Sequence, residues 1–192
     1  WVKELEPESS CYGDAYYRYG LFGQTPTLMA HCCYTDGEEL QLMREQNVYA
    51  VHCPTSNCNL ASGIAPVRKL LQQGVNVALG SDIAGGHHLS MFRVMQYAVQ
   101  MSKLQYTASD GKYPFLTLSE VFHMATKIGG SLFGKVGSFE KGYAFDALVI
   151  DDLYLSPHHL ITSSPIERLE RFVYLGDDRQ IQHRFCQGNE IK

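Results

Sequence analysis

These 192 residues contain no run of basic side chains, no apolar stretch long enough to cross a bilayer, and no C-x-x-C pair. Each absence removes a class of function. Without clustered Lys and Arg there is no footprint for a nucleic-acid backbone or an anionic membrane surface. The 16 basic and 20 acidic residues are scattered and leave a net charge of −4, so charge points to a small molecule or another protein as partner. The opening Trp1-Val2-Lys3-Glu4-Leu5-Glu6 has no basic region followed by an apolar one, which argues against a signal peptide. It also lacks an initiator Met, and the true N-terminus is expected elsewhere. Cys11, Cys32, Cys33, Cys53, Cys58 and Cys186 have no framework spacing and are expected to be reduced thiols of a cytoplasmic protein. Zinc held by Cys53 and Cys58 would need a second pair, which the sequence does not offer.

What is present is the composition of a folded domain, 45% hydrophobic and 19% charged. Three short apolar runs dominate: 27–34, 48–54 and 75–82. Rich in Val and Ala on both faces and ending in polar residues, they predict buried parallel strands. Helices are expected between them. One begins at Asp36, with Glu38 and Glu39 in its opening turn; another begins at Pro66 and ends at Gly74. Strand-helix alternation at this spacing is the α/β pattern. Further helices are expected from Met91 to Met101 and from Thr117, where Thr117-x-x-Glu120 makes a capping box, to Ile128. From Gly137 the pattern changes to strands at 147–150, 171–175 and 180–185, with a partly helical stretch at 160–169 and a Gly188-Asn189 turn. A domain boundary is therefore expected there, separating residues 1–136 from 137–192.

The ends of the three apolar runs carry His31, His52 and Asp82. In parallel α/β sheets and barrels the groups that do chemistry project from that edge. Histidine and aspartate are also the pair that most often binds zinc and manages protons around a metal-activated water. A strand-end His or Asp often just caps the next helix or turn.

Leu28-Met29-Ala30-His31, then His52-Cys53-Pro54-Thr55-Ser56-Asn57, then Leu79-Gly80-Ser81-Asp82 with Gly85-Gly86 resemble successive strands of the amidohydrolase superfamily. The branch is the one that deaminates purines, triazines and related heterocycles. Thr126, Gly137-Ser138, Lys141-Gly142, Ala144, Asp146 and Val149 resemble its passage into a small β-sandwich, and the stretch 167–179 is similar to the end of guanine deaminases. The resemblance implies the last three strands of a TIM-type (β/α)8 barrel in residues 1–136 and C-terminal sandwich strands in 137–192. It implies zinc as cofactor, a purine as substrate, and a homodimer in the full-length enzyme. Asp82 would ligate the metal, contact the substrate and shuttle a proton; His31 would orient the attacking water and stabilise developing charge. His52 is read as structural, with Ser56 and Asn57 satisfying backbone groups nearby. The family's first-strand His-x-His and fifth-strand His-x-x-Glu have no counterpart here, so the chain alone is expected to be inactive.

Other polar groups receive plainer assignments. His87-His88 and His158-His159 read as solvent-facing, and His123 as a core or interface residue. Tyr16, Tyr17 and Tyr19 read as helix packing, Asp151-Asp152 and Asp177-Asp178 as turns. Two alternatives to guanine deamination stand at this point: a related hydrolase acting on a triazine or pyrimidine, and a non-catalytic interaction module.

Overall fold

The computed structural model describes residues 1–155 and 163–191. Two short helices lead in, α1 (Val2–Leu5) and α2 (Tyr12–Arg18). Strands β1 (Leu28–Ala30), β2 (Tyr49–His52) and β3 (Val77–Leu79) then form a parallel sheet in the order β1-β2-β3. Leu28 pairs with Tyr49, and Ala50 with Val77. Helices α3 (Gly37–Glu45) and α5 (Val67–Gln72) are the crossovers, with Leu40, Met43, Val67 and Leu70 buried against the strands. Asp36 caps α3 by accepting from the Gly37 N–H, as its place before an acidic first turn predicts. The α/β reading holds. β2 and β3 are buried, whereas Leu28 of β1 is half-exposed.

Pro54 starts a helix that the sequence pattern does not predict: α4 (Pro54–Asn59) follows β2 after a single residue. Its proline sits in the first turn, where a missing N–H is tolerated and the fixed φ suits the helix. Helix α6 (Met91–Ala108) runs two turns beyond the expected Met101 and buries Val94, Ala98 and Val99. Thr117 and Glu120 make the expected capping box on α7 (Leu118–His123), which continues through a π-helical turn at Met124–Ile128 into α8 (Gly129–Ser131).

Arg68 fastens α5 to this helix. It pairs with both Glu120 oxygens at 2.6 and 3.0 Å and donates to the carbonyls of Pro114 and Phe115. The Arg68 guanidinium holds the Glu120 carboxyl at about 2. A depressed folded value contributes stability above pH 4.5, lost as pH falls through about 2. Glu120→Ala should therefore lower stability at pH 7 by about 1 kcal/mol, the size of a lost cap. It should also flatten the acid limb below pH 4.5; urea midpoints measured between pH 2 and 7 check both.

The second sheet is antiparallel and more exposed: β4 (Ala147–Ile150), β5 (Ile181–Cys186) and β6 (Asn189–Ile191) in that order. Its hairpin turns at Gln187-Gly188, both with positive φ, as a two-residue hairpin requires. Residues 171–175 are not a strand. They lie in α9 (Pro165–Leu175), launched by a Ser164/Glu167 capping box with Pro165 in the first turn. Helix α9 returns to the first layer, where Phe172 meets Phe92 of α6 edge-to-face at 4.7 Å and Val173 joins the main core. Asp152, read as a turn residue, is buried and takes a two-pronged bond from Arg168 of α9. No helix among the described residues is long and apolar enough to cross a membrane.

Candidate active site

The C-terminal ends of the parallel strands converge on one small area. His31 follows β1 directly, His52 ends β2, and Asp82 stands three residues beyond β3. Strands two apart in a sheet lie about 9.6 Å apart. His31 and Asp82 nevertheless approach to 3.7 Å between Nε2 and Oδ2. Backbone geometry closes the gap: both residues adopt positive φ, 69° and 47°, a conformation uncommon outside glycine. The side chains lean toward one another over the central strand, and each remains about 40% exposed. The distance is too long for a direct hydrogen bond and short enough for both groups to touch one small species.

The loop after Asp82 is shaped by glycine. A Cβ on Gly85 would lie 2.6 Å from the Ser56 hydroxyl of α4 and 3.0 Å from Asp82 Oδ2. A Cβ on Gly86 would fall 1.9 Å from the Ser81 carbonyl oxygen. Only glycines let this loop fold back over α4, and the fold-back is closed by the Gly86 N–H donating to the Asp82 carbonyl.

Below this pair, the side chains of α4 depart from the sequence reading. Asn57, expected to serve the backbone, places Oδ1 2.8 Å from His31 Nδ1. The Thr55 and Ser56 hydroxyls, the Asn57 amide nitrogen and His52 Nδ1 are buried without hydrogen-bond partners among the described residues. Burial pushes His52 down to about 4 and the Cys32 and Cys53 thiols up to about 11, so the imidazole stays neutral and the thiols unreactive at neutral pH. All six cysteines are free.

The remaining candidates stand apart from the pair. His87 and His88 sit beside Tyr97, with His87 exposed and near Asn59, and neither joins His31 or Asp82. His123 is exposed, not a core residue, because it lies on the outer side of α7. Tyr16, Tyr17 and Tyr19 are likewise largely exposed. His158 and His159 lie outside the described residues. A cavity of about 490 Å³ opens beside β1, but its walls, including Cys11, Tyr12, Met29 and Glu39, contain neither His31 nor Asp82. The strand-end pair and the cavity are thus separate features of this face.

The amidohydrolase family pattern matches residues 2–191. The chain belongs to the amidohydrolase family. This amidohydrolase is 36% identical over 198 residues to the guanine deaminase of Dictyostelium discoideum, an alignment covering 100% of the chain and 43% of that protein. It is 38% identical over 200 residues to the probable guanine deaminase of Schizosaccharomyces pombe, covering 99% of the chain and 37% of the relative. The crystal structure of guanine deaminase from C. acetobutylicum with guanine bound in the active site superimposes with a TM-score of 0.94 at 57% identity, covering 100% of the chain and 45% of that one. An adenosine deaminase from Xanthomonas campestris with bound zinc gives a TM-score of 0.74 at 27% identity over 91% of the chain and 38% of its own. The chain thus spans less than half the length of the relatives it matches.

Members of this family are typically metal-dependent. Among the described residues no three or more His, Cys, Asp or Glu side chains converge on a common point. Asp82 offers an exposed carboxylate with no hydrogen-bond donor among the described residues, and an imidazole beside it. A carboxylate oxygen is a ligand zinc accepts, so the donor chemistry fits a share of a zinc site.

Proposed function

We propose that this chain carries part of the active site of a zinc-dependent hydrolase that converts guanine to xanthine and ammonia. The observation that carries the reading is the His31–Asp82 pair, drawn to 3.7 Å by two positive-φ strand ends. The similarity to guanine deaminases along the whole chain supports guanine as the substrate. In this reading β1, β2 and β3 are the sixth, seventh and eighth strands of a (β/α)8 barrel within residues 1–136. Residues 137–192 contribute β4, β5 and β6 to a small β-sandwich.

Asp82 would hold the metal through one carboxylate oxygen. Bound zinc supplies Lewis acidity that brings the deprotonation of water near neutral pH. Asp82 takes the proton from the attacking water and delivers it to the departing amine, as a carboxylate with one oxygen free can do. His31 presents Nε2 to the same water and orients it toward the ring carbon that bears the amine. Water adds, the carbon–nitrogen bond breaks, and ammonia leaves with the transferred proton. The Asp82 carboxylate is also read as the substrate contact of this half of the site.

A substrate panel on the zinc-loaded, full-length protein tests the assignment. Guanine should yield xanthine and ammonia in equal amounts, with kcat/KM at least a hundredfold above that for cytosine or an aminotriazine. A preference for the pyrimidine or triazine would replace guanine within the same chemistry. No turnover of any member at full zinc loading would leave the interaction module as the better account.

A further inference from the structure

We propose that Asn57 is a positioning residue for His31, fixing both the orientation of the imidazole and which of its nitrogens carries the proton. The inference rests on the reading of His31 as a reaction-site residue. Asn57 is the fourth residue of α4 and only 2% exposed. Its backbone is held at both ends, the N–H by the Cys53 carbonyl and the carbonyl by the Ser62 N–H. The side chain therefore projects from a fixed point toward a residue 26 positions earlier in the chain.

The bond itself decides the tautomer. Asn57 Oδ1 can only accept, so His31 Nδ1, at 2.8 Å, must donate. A neutral ring protonated at Nδ1 leaves Nε2 bare, and Nε2 is the nitrogen facing Asp82. An acceptor nitrogen opposite an acceptor carboxylate at 3.7 Å suits a donor species held between them, and an Nε2–H would instead turn toward the carboxylate. The second observation concerns what holds the ring. His31 lies at φ 69°, outside the regions that fix a side chain by regular structure, and its imidazole is about 40% exposed. Among the described residues, Asn57 and Asp82 are the polar side chains beside the ring.

Asn57 Nδ2 makes no hydrogen bond among the described residues, so that half of the amide can be changed without breaking one. Asn57→Asp keeps an acceptor oxygen at the same place, whereas Asn57→Leu removes it at similar volume. In the zinc-loaded full-length protein, Asn57→Leu should reduce kcat by about 10- to 100-fold, the range for partners that orient an active-site imidazole. KM and zinc content should change little, and Asn57→Asp should recover most of the loss. Neutron diffraction from crystals exchanged into D₂O reads the ring directly. Deuterium on His31 Nδ1, aimed at Asn57, is expected in the wild type, with a rotated or differently protonated ring in Asn57→Leu. Deuterium on Nε2 alone in the wild type would overturn the proposal, as would an Asn57→Leu enzyme with full zinc and unchanged kcat. The neutron result concerns the ring and not the substrate, so it stands or falls independently of guanine turnover and of whether a variant folds.

Discussion

Asp82→Asn is expected to lower kcat for guanine by about a thousandfold, within the range general acid–base catalysis supplies. The amide keeps the volume and planarity of the carboxylate but can neither accept a proton from water nor return it to the amine. It is also a weaker zinc ligand, so the comparison must be made at equal metal content. Stability should hardly change. The carboxylate is 39% exposed and has no hydrogen-bond donor among the described residues, so little is lost from the fold when its charge goes. A large loss of kcat with an unchanged thermal midpoint is the expected signature. Equal kcat for the variant and wild type at equal zinc would remove Asp82 from the proton path and with it the central claim of the mechanism.

The pair was legible in the sequence because strand ends are. A short apolar run closed by a polar residue gives both the strand and the edge on which the residue stands, and His31 and Asp82 each close one. Caps were legible for the same local reason: Asp36 and Thr117-x-x-Glu120 act within one turn of where they sit. What failed was set at a distance. The aromatic and β-branched run at 171–175 has strand propensity, but Ser164-Pro165-x-Glu167 starts a helix ahead of it, and Phe172 finds Phe92 on α6. The capping box was there to be read and outranks propensity once a partner face exists. Asn57 carried no such mark. Its bond to His31 depends on where α4 settles after β2 and on where the turn after β1 carries the imidazole. Those are packing facts, and the spacing of two residues 26 apart does not contain them.

His52→Gln is expected to act on stability where Asp82→Asn acts on rate, and the effect should appear as a change in pH dependence. His52 ends the central strand, is 3% exposed, and has a buried Nδ1 without a partner among the described residues. Nothing there compensates a charged imidazole, so burial pushes it from 6.5 down to about 4. Between those values the unfolded chain binds a proton that the native chain refuses, and stability therefore rises with pH across the window. The contribution is complete above about pH 6.5 and is lost progressively as pH falls toward 4. Integrated over the shift it is about 3 kcal/mol, a large part of the net stability of an ordinary domain. Glutamine cannot take up the proton in either state. Its urea midpoint should therefore change far less than the wild type's between pH 6.5 and 4, while kcat at pH 7.5 stays near wild type. The Glu120–Arg68 contribution falls in a lower window, from pH 4.5 to about 2, so the two meet only between pH 4 and 4.5. A glutamine variant with the wild-type slope between pH 6.5 and 4 would mean that His52 is charged in the native protein, held by a partner that the packing around β2 does not reveal.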